Sequence, residues 1–369
     1  MIPVYRPHLG ETEKLYVNEA LDSTWISSKG PFLDRFEHGF AEWVGASQGI
    51  ATSNGTTSIH LALAALGIGP GDEVIVPTFT YVASVNAITY TGATPVFVDS
   101  EPLYWNLDPE KIEPLITERT RAIEVVHLYG HPADMDRILE VASRHGIAVI
   151  EDAAEAHGAQ YRGRKVGTFG DASSFSFFGN KVITTGEGGM VVTDDGALAE
   201  RCRHLRGQGV SPVRTYWHDM VGYNYRMTNI AAAIGCAQLE RIDRVIADKR
   251  RVAGWYRARL EGIPGLEFQR EAPWADAVWW MVSILVGTDV RDALMTFLAE
   301  NGVESRPFFH PAHQLPMYQR SERYPVAEHL GAAGINLPSF PDLSQAEVNL
   351  VCDLIERFLS SEKCSGEPE

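Results

Sequence analysis

The sequence predicts an α/β protein: a large, mostly parallel sheet sandwiched by helices, followed by a smaller C-terminal α+β domain. Three observations predict it. Short, nearly all-apolar runs alternate with helical stretches up to Ile150, the pattern of parallel strands covered on both faces. The chain has 369 residues, 45% hydrophobic and 22% charged, enough for one large core and a second smaller one. After Ile150 the alternation gives way to a long helical stretch and then to short mixed elements.

Taken in order, the first 50 residues read as an arm and one helix, with Phe32, Leu33, Phe36, Phe40 and Trp43 at helical spacing for core packing. The strand runs are Gly49-Ile50-Ala51, Glu73 to Val76, Thr94 to Val98, Ala122 to Val126 and Ala148 to Ile150. Helices are expected between them at about 56–66, 80–91, 109–117 and 134–145. Ser173–Phe177 and Gly189–Thr193 read as strands bracketing a glycine-rich loop. Thr228 is a plausible N-cap for one long helix reaching to about Leu260. Its charged residues Glu240, Arg241, Asp243, Arg244, Asp248, Lys249, Arg250 and Arg251 read as a solvated face. The division expected is 1–245, an N-terminal arm with the large domain, and 246–369, the small domain with a disordered polar tail from Ser360 to Glu369.

Composition excludes several classes. A formal net charge of −16 argues against nucleic-acid binding, although a pocket can still be locally positive. The cysteines, Cys202, Cys236, Cys352 and Cys364, lie far apart and form no CxxC pair, so no metal site, iron–sulfur cluster or disulfide framework is expected. The sequence has no run of about 18 apolar residues, and the start Met1 to Arg6 lacks the apolar stretch of a signal peptide. The expectation is a cytoplasmic protein with no membrane partner.

Three segments carry chemistry. Ser53-Asn54-Gly55-Thr56-Thr57-Ser58 lies between a strand and a helix. Small residues there allow a sharp turn, and the N–H groups of a helix start make a phosphate cradle. The same residues also make a tight turn with an N-cap, and the segment alone does not separate the two readings. Ile150-Glu151-Asp152 ends an apolar strand in an acidic pair, at the strand end where open α/β sheets bind ligands. A carboxylate there can keep a ring nitrogen protonated, or Asp152 can cap the following segment. Ser174 to Lys181, then Val182 to Met190, places one lysine between an aromatic strand and a loop of glycines and threonines. A lysine among buried neighbours has a depressed pKa and attacks aldehydes. Phosphate cradle, acidic strand end and lysine follow one another in that order.

With these segments in hand, the chain resembles the sugar aminotransferases of the aspartate-aminotransferase superfamily, pyridoxal-phosphate (PLP) fold type I, from Ile2 to about Leu359. Also similar are the stretches Asp22 to Gly30, Val126 to Pro132, Glu151 to Gly158, Ser176 to Val191 and Arg306 to Pro311. The resemblance implies that Lys181 bonds the cofactor aldehyde and that Asp152 partners the pyridine nitrogen. It implies that Tyr81 stacks on the ring, with helix packing as the alternative. Gly55, Thr56 and Ser176 match phosphate contacts. Asn224 matches an asparagine that reaches the phosphate of a neighbouring subunit, which implies a homodimer with shared active sites. Glu155 stands where many relatives carry Gln, near the ring hydroxyl. Those with Glu act on a GDP-linked 4-keto-6-deoxy sugar, so this departure favours that substrate, with glutamate as amino donor.

For the sugar, the contacts named are Trp25, Lys29, His310 and His313. The two histidines flank Pro311-Ala312, with no carboxylate or cysteine alongside, so a loop that orients hydroxyls or phosphates, or plain packing, is expected rather than a metal site. A UDP- or dTDP-linked keto sugar and a sugar dehydratase are the competing activities. The related dehydratases replace the lysine with histidine, which favours transamination here. A PLP-binding regulator would need a DNA-binding module, and no basic helix-turn-helix segment is visible. A Rossmann protein would need GxGxxG after its first strand, and the Ser53 to Thr57 segment lacks that spacing.

Overall fold

Alternate residues of the central strands go to opposite cores, which is what a sheet covered on both faces requires. The structure is a computed structural model and describes residues 1–365. Its strands are β1 (Gln48–Thr52), β2 (Glu73–Pro77), β3 (Thr94–Val98), β4 (Thr120–Val126), β5 (Ala148–Asp152), β6 (Gln160–Tyr161), β7 (Arg164–Lys165), β8 (Ala172–Ser176), β9 (Gly189–Thr193), β10 (Leu266–Phe268), β11 (Ala275–Asp276), β12 (Val282–Val286), β13 (Arg306–Pro307) and β14 (Gly334–Leu337). The helices are α1 (Glu11–Asp22), α2 (Pro31–Val44), α3 (Gly55–Ala65), α4 (Val82–Thr91), α5 (Met135–His145), α6 (Gly196–Arg206), α7 (Asn229–Leu239), α8 (Ile242–Leu260), α9 (Arg291–Glu300), α10 (Pro325–Ala333) and α11 (Gln345–Ser365).

Seven strands form the main sheet in the order β1-β9-β8-β5-β4-β2-β3. Every neighbouring pair is parallel except the two made by β9, which runs against both β1 and β8. The sheet is therefore mostly parallel, as expected. Ile75, Ile123 and Val149 point into one core with Phe36, Phe40 and Ile138, while Val74, Ala122 and Ile150 point into another with Ile59 and Ile88. A four-stranded antiparallel sheet, β10-β12-β14-β13, has its own core around Ile284, Leu294, Ile335 and Ile355. A small sheet, β11-β6-β7, lies apart from both.

Several expectations change. Residues 11–22 form a helix rather than an arm. It is started by the Glu13 carboxylate, which accepts from the Gly10 N–H at 2.7 Å. The expected helix at 109–117 is two short 3-10 turns, because Pro114 removes a donor in its middle. The long helix from Thr228 is two. Thr228 does cap α7, accepting from the Ala231 N–H, but the chain breaks at Glu240–Arg241 before α8 begins. The expected boundary at 245 falls inside α8, whose Ile242, Val245 and Ile246 enter the first core and whose Val252, Tyr256 and Leu260 enter that of the second sheet. Its charged residues are not all solvated, since Lys249 is fully buried. In the expected disordered tail, residues 360–365 continue α11, and 366–369 lie outside the described residues. Cys202, Cys236 and Cys352 are buried free thiols, and Cys364 lies outside the described side chains.

Candidate active site

A cavity of about 460 Å³ opens where the main sheet's strands end, and Gly55, Thr56, Tyr81, Asp152, Glu155, Ser176 and Lys181 all line it. One corner of it is the start of α3. Asn54 caps that helix through its side chain, which accepts from the Thr57 N–H at 2.9 Å, while Thr57 Oγ1 accepts from the Asn54 N–H at 3.2 Å. The next turns of backbone, at Gly55 and Thr56, bring the first N–H groups of the helix to the cavity wall. Glycine is needed at 55, because a Cβ there would stand 2.8 Å from the Cβ of Ser176. Gly55 also accepts a hydrogen bond from the Ser174 hydroxyl at 3.2 Å, so α3 starts directly on β8. Ser176 ends β8, and its Oγ accepts from the Phe178 N–H at 3.3 Å, leaving the hydroxyl proton to donate. The cradle and the N-cap proposed for this segment are thus one structure.

Asp152 ends β5, in register with Val126 of β4 and Ser174 of β8. Its carboxylate accepts from the Ser84 hydroxyl at 2.8 Å and from the Ala154 N–H at 3.1 Å. Each oxygen keeps a lone pair for a further donor. Burial raises its pKa, and the bonds from Ser84 and Ala154, with the charge of Lys181, oppose the rise. Ser84, on α4, escapes a reading of the sequence, because nothing in its local pattern points across to β5.

Lys181 sits on the loop joining β8 to β9. Its Nζ lies 3.9 Å from the centroid of the Trp280 ring and 3.7 Å from a Glu155 carboxylate oxygen. Burial depresses its pKa, opposed by Glu155 and Asp152. The backbone beneath it is pinned: the Lys181 carbonyl accepts from the Tyr5 hydroxyl at 2.5 Å, and the Asn180 carbonyl from Trp280 Nε1 at 2.7 Å. Glu155 accepts from the Tyr129 N–H at 2.8 Å, which Tyr129 presents by adopting a left-handed backbone, φ +54°. Burial pushes the Glu155 carboxyl up to about 7, against the pull of Lys181.

Tyr81 caps the entry to α4, its ring exposed and 5.5 Å from that of Phe309. Sequence reasoning missed Trp280, Phe309, Glu187 and Arg306, which also line the cavity. Arg306 and Phe309 lay in a stretch already singled out; Trp280 had only the Trp279-Trp280 pair as a signal. Lys181 and Arg306 are the two lysine or arginine residues among the lining residues.

Other expected residues lie elsewhere. Asn224 is exposed and its Oδ1 accepts from the Arg226 guanidinium at 2.9 Å. Trp25 and Lys29 line a second cavity, about 530 Å³, with Arg226 and Arg206. His310 is exposed and is not among the residues lining the Lys181 cavity. His313 is corrected to a packing role. Its Nδ1 is 2.8 Å from the Thr78 hydroxyl and its Nε2 is 3.4 Å from the Glu328 carboxylate, so neither ring nitrogen is left for a sugar. The cause is the short turn at Ala312–Gln314, which docks on the end of β2 through Ala312 N–H to Thr78 carbonyl, 2.6 Å.

The donor set fits a phosphorylated pyridine aldehyde: helix-start N–H groups and a hydroxyl for the phosphate, an aromatic face, a carboxylate for a ring nitrogen and an amine of depressed pKa. A family model described as the DegT/DnrJ/EryC1/StrS aminotransferase family matches residues 7–356. A protein of Escherichia coli named GDP-perosamine synthase is 55% identical over 361 residues, covering 97% of this chain and 99% of its own. One of the same name from Caulobacter vibrioides is 51% identical over 364 residues, covering 97% of this chain and 98% of its own. The PLP form of a putative sugar aminotransferase from Streptococcus pneumoniae matches with a TM-score of 0.91 at 27% identity, covering 96% of this chain and 99% of that one.

Proposed function

The chain belongs to the DegT/DnrJ/EryC1/StrS aminotransferase family, and from that membership we propose that it moves an amino group from glutamate to GDP-4-keto-6-deoxy-D-mannose, giving GDP-perosamine. It is a PLP-dependent aminotransferase of fold type I. Two relatives named GDP-perosamine synthase, each more than half identical over nearly the whole length, support the choice of sugar.

The observation that carries the mechanism is Lys181 Nζ held between the Trp280 ring and Glu155 in one cavity with Asp152. When bound, PLP supplies the carbonyl that carries the amino group and a ring that spreads negative charge. Lys181 anchors it and, once a substrate amine takes its place, serves as the base that takes a proton and the acid that returns it. The burial that depresses its pKa favours the neutral amine, against the pull of Glu155 and Asp152. Asp152 holds a proton on the ring nitrogen, steadied by Ser84 and the Ala154 N–H. Gly55, Thr56 and Ser176 bind the phosphate, and Tyr81 covers one ring face. Glu155, in the same lining, would lie near the ring hydroxyl. Arg306 draws in the carboxylate of the amino donor, being the other cation of the lining.

Two subunits complete the site in this reading. Asn224, exposed and outside its own chain's cavity, reaches the phosphate of a second copy. Trp25 and Lys29, beside Arg226, remain sugar-nucleotide contacts for that neighbouring site. Residues 1–245 are read as the large domain and 246–369 as the small one, joined through α8, with the enzyme at work in the cytoplasm. Purified protein is to be assayed with glutamate and GDP-, UDP- or dTDP-linked 4-keto sugars. Amino-sugar product from the GDP substrate, with a clear preference over the others, is expected. Preferred turnover of a UDP- or dTDP-linked sugar, or release of ammonia and a deoxy sugar, would overturn the assignment.

A further inference from the structure

Lys249, placed by its sequence neighbours on a solvated helix face, is 1% exposed. Among the described residues no carboxylate is paired with it. Its Nζ donates instead to two backbone carbonyls, those of Trp280 (2.6 Å) and Ser339, and lies 5.4 Å from the centroid of the Tyr5 ring. A buried amine without a counter-ion is costly, and a methionine would fill much the same volume without that cost. What distinguishes the position is what its neighbours do. Trp280 lays its ring against Lys181 Nζ and donates from Nε1 to the Asn180 carbonyl. Tyr5 donates to the Lys181 carbonyl. Ser339 donates its N–H to the carbonyl of Val4, at 3.0 Å, and so fastens the N-terminal segment at the same point.

We propose that Lys249 is a positioning residue for Lys181: it ties the Trp280 and Ser339 backbones together, and so fixes the ring that faces the Lys181 amine and the N-terminal segment that holds its carbonyl. The proposal rests on Lys181 as the reactive amine, and it deepens that reading by naming what holds the amine in place.

The charged groups that act on Lys181 directly are Glu155 and Asp152, while His157, held down to about 3 by burial and by the charge of Lys181, faces it as a neutral ring. None of them is altered in the test. Lys249→Met removes the donors and keeps the bulk, whereas Lys249→Gln keeps two N–H groups for the two carbonyls. In apoprotein, the pH midpoint for acetylation of Lys181 is followed by peptide mass mapping. In holoprotein, the pH midpoint of the cofactor absorbance is recorded, and thermal stability is measured alongside.

The ring face of Trp280 favours the ammonium form. Lys249→Met therefore lowers the Lys181 midpoint by about half a pH unit or more, and Lys249→Gln restores much of it. Combined with Trp280→Phe, the Lys249→Met shift does not add, because both act through one contact. Should Lys249→Met fail to fold, Lys249→Leu, equally without donors, takes its place in the same cycle. A lower melting temperature with an unchanged Lys181 midpoint, or fully additive shifts, would overturn the proposal alone. A wild-type cofactor adduct on a residue other than 181 would instead remove the premise of the site.

Discussion

Lys181 feels burial, which favours its neutral form, and two carboxylates and a ring face, which favour its charge. Removing one of the charges tips the balance in a known direction. Glu155 is ionised above about pH 7 and raises the Lys181 pKa. In apoprotein, Glu155→Gln therefore moves the acylation of Lys181 to lower pH, and the difference from wild type is largest above pH 7, where the lost charge was present. Equal profiles for the two proteins would place Glu155 outside the electrostatics of the amine. Lys181→Ala is expected to lower kcat by about a thousandfold or more, since it removes the proton carrier, and to abolish the borohydride-stable adduct seen by mass spectrometry. Asp152→Asn, which keeps the size but not the charge, should cost about a hundredfold or more in kcat/KM. Asp152 was legible because it ends an apolar strand run, and Lys181 because it is the one lysine between an aromatic strand and a loop of glycines and threonines. Ser84, Trp280 and Arg306 were not, because what they touch is set by folding and not by spacing. His313 misled for the same reason: a histidine beside a proline looks available, and the turn at Ala312–Gln314 hides it.

At the scale of elements, the start of α3 is wedged against β8 and β9. A Cβ on Gly55 would meet Ser176, and one on Gly189 would stand 2.4 Å from the Asn54 carbonyl oxygen. Gly55→Ala should thus push the helix start away from the phosphate position, with overpacking of about 1–3 kcal/mol. The expected result is PLP affinity reduced about tenfold or more, with pyridoxal, which lacks the phosphate, much less affected. Equal losses for both ligands would show a general disturbance instead. Thr228→Ala, which deletes the α7 cap, should cost about 1 kcal/mol in denaturant unfolding without touching cofactor affinity. Strand positions were legible throughout the main sheet, because runs such as Val74–Val76 are apolar on both faces. Helix ends were less so. The apolar period runs on through Glu240–Arg241, while the break there depends on Arg241 turning to Glu13 and the His8 carbonyl, partners more than two hundred residues away. The reversal of β9 was equally invisible, since its residues would suit either direction.

For the whole molecule, the shared-site reading makes a quantitative prediction. On one chain, Lys181→Ala and Asn224→Ala damage different sites, whereas on opposite chains of a dimer both fall in the same site. Mixed in equal amounts and allowed to exchange, the two inactive proteins form hybrid dimers with one intact site each, and about a quarter of wild-type activity should return. No recovery, with exchange verified by mass, would mean that Asn224 serves its own chain. Continuity between the two cores has a counterpart in stability. Because α8 supplies Val245 to one and Tyr256 to the other, unfolding of either core strips packing from the second. The reversed strand has a consequence for how this protein comes to life. Ser176 and Gly189 face each other across β8 and β9, so the segment bearing Lys181 is a stitch drawn closed by the pairing of those two strands. Until that seam is sewn, the amine, the carboxylate of Asp152 and the helix start belong to unconnected pieces of chain. Competence to hold the vitamin should therefore arrive abruptly and late during refolding, a latch clicking shut rather than a grip that tightens by degrees.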